Sequence, residues 1–164
     1  MMKLALAVSV LSFSSVAFAD EAKNDKPVSK ADQKFMEDAA IGGMSEVTLS
    51  KIAVAKGASD KVKTFAQHMI DDHTKAGDEL KTLAQQKSVT LPVDIDAKHK
   101  QEEAKLNKLS GEAFDKEYLK AMKADHEKVV SLFKKESTGK GDADVTGWAS
   151  KTLPTLQGHL DMLK

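Results

Sequence analysis

From about residue 30 onward, apolar residues return every three or four positions, the spacing of amphipathic helices, and no segment alternates convincingly as a strand. Phe35, Met36, Ala39, Ala40, Met44, Val47 and Ile52 form the first stripe. Ser29 with Asp32 resembles a capping box at its start, and Gly57 supplies its C-cap. Gly42-Gly43 interrupts the run and predicts a bend or a close helix approach. Ser59 opens a second helix whose stripe is the most sustained in the chain: Val62, Phe65, Ala66, Met69, Ile70, His73, Ala76, Leu80, Leu83 and Ala84. Residues 88–94 contain Pro92 and read as a crossover loop.

Asp94 or Asp96 opens a third, more polar helix with Ile95, His99, Leu106 and Leu109 on its sparse apolar side, and Ser110-Gly111 breaks it. The fourth stripe is Phe114, Tyr118, Met122, His126, Val129, Val130 and Phe133. Asp142 caps a fifth helix carrying Val145, Trp148, Ala149, Leu153, Leu156, His159, Leu160 and Leu163, with a kink expected near Ser150 because Pro154 lies inside it. Four amphipathic helices and one polar connecting helix predict an all-α protein, a four-helix bundle with inward stripes.

The N-terminus reads differently. Met1 to Lys3 is a short positive region, Leu4 to Phe13 an apolar run too short to span a bilayer comfortably, and Ala17-Phe18-Ala19 a peptidase-type cleavage pattern. Residues 1–19 are expected to be a signal peptide cut after Ala19, residues 20–28 a flexible lead-in, and residues 29–164 the bundle. The mature protein would be periplasmic or secreted, with no membrane span.

Composition narrows the chemistry. The chain has 25 basic and 25 acidic residues; the leader takes only Lys3, so the mature chain carries 24 against 25, a net charge near −1. Nothing in that balance favours nucleic acid. Every basic residue except histidine is Lys, so bidentate guanidinium recognition is absent, and without Cys there is no thiolate site or disulfide. No nucleophile elbow or phosphate-cradling glycine loop occurs, and the neighbouring pairs Asp71-Asp72 and Glu102-Glu103 diverge on a helix. A binding or interaction protein is favoured over an enzyme.

One pattern carries specific chemistry. Phe65-x-x-x-Met69-x-x-Asp72-His73-x-Lys75 on the second helix is matched by Tyr118-x-x-x-Met122-x-x-Asp125-His126-x-Lys128 on the fourth. Such a repeat predicts related positions about a pseudo-two-fold axis. Aromatic, Met and His stand at i, i+4 and i+8, so both histidines face the bundle interior. His159 joins them from the fifth helix, and Glu46 lies near the same face of the first. A buried imidazole needs a partner, and three together suggest a metal centre of His73, His126, His159 and Glu46, supported by Asp72, Asp125, Met69 and Met122. Two readings of the aspartates stay open: each reaches across to the histidine of the other helix, or each is a solvated acid paired with Lys.

These stretches, with Leu153-Pro154-Thr155-Leu156-x-x-His159-Leu160 and Ala40-Ile41-Gly42-Gly43-x-x-Glu46-Val47, resemble a bacterial family catalogued as domain of unknown function 4142. The resemblance covers nearly all of the mature chain and implies an exported, ferritin-like bundle with no established reaction. Di-iron proteins of that fold use Glu-x-x-His pairs. Here no Glu stands three residues before a His, and Asp96-x-x-His99 on the polar helix is the nearest approach. Imidazole with thioether nearby suits copper or zinc better. The alternative is a structural or interaction module of the cell envelope whose histidines satisfy one another.

Overall fold

The computed structural model describes residues 27–164; the expected signal peptide and most of the lead-in lie outside them. Five helices follow in order, α1 Lys30–Lys56, α2 Asp60–Gln86, α3 Ala97–Asn107, α4 Gly111–Ser137 and α5 Ala143–Met162. No strand occurs among the described residues, and no helix there is long and apolar enough to cross a membrane. The expected caps form. Ser29 and Asp32 close a reciprocal capping box, Ser59 accepts from the Val62 amide, and Asp142 from the amides of Asp144 and Val145. Asp96, not Asp94, caps α3. Gly111 begins α4 at φ +60°, a left-handed conformation that glycine tolerates without strain.

One local expectation differs from what is seen. Gly42-Gly43 does not interrupt α1, which runs unbroken for 27 residues. The tertiary packing of the flanking stripes outweighs a propensity cost of roughly 1 kcal/mol per glycine. Pro154 lies within α5, one turn beyond Ser150.

The bundle is built from two apolar clusters. One contains Phe35 and Met36 of α1, Leu80 and Leu83 of α2, Val130 and Phe133 of α4, and Val145, Trp148 and Leu156 of α5. The other contains Leu49 and Ala53 of α1, Val62, Phe65 and Met69 of α2, Leu106 of α3, and Phe114, Tyr118 and Met122 of α4. Chain direction follows from this assignment. Helices α1 and α5 run from the Trp148 end towards the Tyr118 end, and α2 and α4 run back. Because α2 and α4 are parallel, residues 87–110, including α3, must return along the bundle. This is the up-down-down-up, ferritin-like arrangement with one long crossover. Aromatic rings lock each end: Phe35, Phe133 and Trp148 meet at centroid distances of 5.0–5.9 Å, and Phe65, Phe114 and Tyr118 at 6.1–6.2 Å.

Asp32 joins two helix starts. Its Oδ2 accepts from the amides of Ser29 (3.2 Å) and Asp142 (3.1 Å), and it is buried. Any Cβ at Gly141 would collide with its carboxylate, which accounts for a glycine there. Asp32→Ala removes the cap and strands two amides, so a loss of about 2–3 kcal/mol is expected in chemical denaturation.

Candidate metal centre

Between the two apolar clusters the interior turns polar. Each long helix contributes one residue to this layer: Glu46 from α1, His73 from α2, His126 from α4 and His159 from α5, all buried. Register places them there. His73 follows Met69 by four residues and His126 follows Met122 by four, one turn beyond the Tyr118-end cluster in both copies of the repeat. His159 lies one turn past Leu156 and Glu46 one turn before Leu49 or Ser50, so every helix switches from apolar to polar at one level.

The three imidazoles form a nearly equilateral triangle, with ring centroids 5.6, 5.2 and 5.3 Å apart. Each offers one nitrogen to a set lying within 4.8 Å of one another. Each ring is also held from its outer side. His126 Nδ1 meets the Met122 carbonyl at 2.9 Å, His159 Nε2 meets Asp72 Oδ2 at 2.8 Å, and His73 Nδ1 meets Glu46 Oε2 at 3.1 Å. A carbonyl can only accept, so His126 Nδ1 carries the proton and its Nε2 presents a lone pair inwards. By the same argument the Asp72 carboxylate turns the lone pair of His159 Nδ1 inwards. These two inward nitrogens stand 3.3 Å apart. A bond between them needs one further proton, or a cation in its place. His73 Nε2 is buried and has no hydrogen-bond partner among the described residues.

The electrostatics match this geometry. Burial holds His73 well below the ordinary imidazole range, with His126 and His159 adding to the effect. Burial also pushes His126 down to about 4 against the pull of the Met122 carbonyl. Glu46 is raised well above the usual carboxylate range by burial and by the Asp125 charge. The fold therefore favours the neutral forms of His73, His126 and Glu46.

The expected site residues divide into groups. His73, His126 and His159 converge. Glu46 reaches them from behind, with Oε2 on His73 and Oε1 3.2 Å from His126 Nδ1, whose proton goes to Met122. Neither aspartate reaches the histidine of the other repeat helix. Asp72 spans to His159 of α5, because α5 rather than α4 lies beside that face of α2. Asp125 turns to α3, where Lys98 is 3.3 Å away, and also meets Lys128 at 3.5 Å, so it pairs with Lys while its side chain is largely buried. The side chains of Met69 and Met122 belong to the neighbouring apolar cluster, and Met122 contributes its carbonyl to His126. A grouping that the sequence reading passed over is His99 with Glu102 and Asp125; the i, i+3, i+6 spacing of Asp96, His99 and Glu102 along α3 was its signal.

A cleft of about 440 Å³ leads from the surface to Glu46 and His73, between Gly43, Thr74 and Gly77 and beneath Leu91 to Ile95 of the crossover. Gly43 lines its inner end, and a Cβ there would stand in ordinary van der Waals contact with His73 Nδ1, 4.0 Å away.

Solved structures share this architecture. A DUF305 fragment from Deinococcus radiodurans superposes with TM-score 0.73 at 14% identity, covering 84% of this chain and 95% of its own. A DUF305 protein from Streptomyces coelicolor gives 0.68 at 15%, covering 81% and 89%. CopM in its Cu(II)-bound form gives 0.68 at 18%, covering 80% and 92%. No curated protein matches the chain by sequence. The profile of DUF4142, a domain of unknown function, matches residues 17–164, and the chain belongs to that family.

Proposed function

We propose that the protein is an exported metal-binding protein whose centre is His73, His126 and His159, with copper favoured over zinc. The observation that carries this is the set of three converging imidazoles, each held by an outer partner, with one nitrogen of each within 4.8 Å of the others. Metal-binding histidines are held in this manner, by a carboxylate or carbonyl on the remote nitrogen. The middle of the triangle lies about 3 Å from each ring centroid, close to the sum of a metal–nitrogen bond of roughly 2.0–2.1 Å and the radius of the ring. Imidazole donors suit both metals, and Cu(II) binds such sites more tightly than Zn(II). The Cu(II)-bound form of CopM, a protein of similar fold, supports the same use of the bundle. Glu46, Asp72 and the Met122 carbonyl act as orienting groups, and the cleft beside Gly43 provides the access path. The reading as a purely structural module is disfavoured by His73 Nε2, which such a core would leave unpaired.

The site would be loaded outside the cytoplasm, in the periplasm or beyond the cell, after removal of residues 1–19. Calorimetric titration tests the reading: one tight copper equivalent is expected, with weaker zinc. Unchanged copper affinity in the His73→Ala/His126→Ala/His159→Ala variant would refute it. Asp72→Asn, which keeps the shape but weakens the hold on His159, should reduce copper affinity roughly 10-fold with the fold intact by circular dichroism.

A further inference from the structure

Beyond the histidine layer, one other group of side chains has the makings of a ligand set. His99 and Glu102 stand one turn apart on α3, and Asp125 faces them from α4. Their donor atoms lie within 4.8 Å of one another. The His99 and Asp125 side chains are only 12% and 13% exposed. Asp125 Oδ1 takes the two lysines, Lys98 at 3.3 Å and Lys128 at 3.5 Å. Its Oδ2 and the Oε2 of Glu102 are buried with no hydrogen-bond partner. Buried carboxylate oxygens without a partner are costly, and the lysines reach only the other oxygen of Asp125.

His99 is prepared as a ligand. Its Nδ1 meets Asp96 Oδ1 at 2.7 Å, and the same oxygen accepts the His99 amide at 2.9 Å. The N-cap of α3 thus sets the ring orientation, with Nδ1 on Asp96 and Nε2 on the side of Asp125 Oδ2, 4.0 Å away. Burial and the Asp125 charge raise the Glu102 carboxyl, against the opposing pull of Lys98, His99 and Lys128.

We propose that His99, Glu102 and Asp125 form a second site, for a divalent cation of zinc type, oriented by Asp96 and pinning the crossover helix to the bundle. One imidazole and two carboxylates match zinc better than Cu(I), which prefers softer donors. Asp125 and His126 are consecutive, so α4 supplies a ligand to each centre from neighbouring positions. The inference does not depend on the three-histidine reading, because the two sites share no ligand.

Titration of the protein with zinc chloride, read by calorimetry, tests it. Two equivalents are expected. His99→Gln and, as an independent variant, Glu102→Gln should each lose one equivalent while circular dichroism stays unchanged. Asp96→Asn should weaken that equivalent roughly 10-fold. If only one equivalent binds, and it disappears in His99→Gln but survives in His159→Leu, this site stands and the core reading falls. Retention of every zinc equivalent in both His99→Gln and Glu102→Gln would overturn the proposal.

Discussion

His159→Leu should lower copper affinity at least about 100-fold, more than the 10- to 100-fold typical of losing an outer orienting partner, while leaving the metal-free protein as stable as before or more so. The sign of the second effect is the informative part. Removing His159 frees Asp72, whose side chain is 45% exposed and can turn to water. It also relieves the inward lone pair of His126, which faces His159 Nδ1 at 3.3 Å. Leucine fills most of the vacated volume between Leu156 and Leu163. If the histidines existed to satisfy one another, the same substitution would strand buried polar atoms and cost about 1–3 kcal/mol or more. Denaturation of the metal-free variant, with a copper titration beside it, separates the two outcomes.

The stability of the metal-free protein should rise with pH from about 4 towards the ordinary imidazole pKa of about 6.5, with Glu46 opposing that rise. On the acid side, unfolded His73 and His126 take up protons below about 6.5, while in the fold both resist protonation, His126 down to about 4. For His126 alone the gap of about 2.5 pH units corresponds to roughly 3 kcal/mol, lost progressively as pH falls from 6.5 towards 4. Glu46 acts in the opposite sense, because its folded pKa is raised. Above about 4.5 the unfolded state has released this proton and the folded state retains it, so stability declines as pH rises through the raised value. Between 4.5 and 6.5 the unfolded state gains up to two protons on the histidines against one kept by Glu46 in the fold, and the slope remains positive with pH. Denaturation midpoints between pH 4 and 9 check the shape. Glu46→Gln should steepen the rise above about 4.5, and copper should deepen the contrast, adding about 2.7 kcal/mol at a hundredfold excess over Kd near neutrality and little near pH 4.

Much of the fold was legible because it rests on periodicity. The stripes of α2 and α4 fix which faces are buried, and the side-chain caps at Ser29, Ser59, Asp96 and Asp142 are short-range chemistry that the sequence spells out. The convergence of His73 and His126 followed from the repeat, since equal spacing from an aromatic anchor places two residues at one height on parallel helices. The identity of each ring's partner was not legible. Asp72 and Asp125 occupy equivalent positions in the repeat, yet one meets α5 and the other α3, because the neighbours of the two helices differ. Gly42-Gly43 illustrates the same limit. Its local preference predicts an interruption with a bend or a close helix approach, whereas α1 runs through it, with Gly43 placed beside His73. The grouping around His99 was obscured because α3 reads as polar throughout, and its partner Asp125 lies 26 residues further on.

The most direct test of the three-histidine centre is a copper-edge anomalous map from crystals of the copper-loaded protein. The account predicts a peak about 2.0 Å from His73 Nε2, His126 Nε2 and His159 Nδ1, between the two apolar clusters. Copper found only at the surface, with the triangle empty in a fully loaded protein, would contradict it.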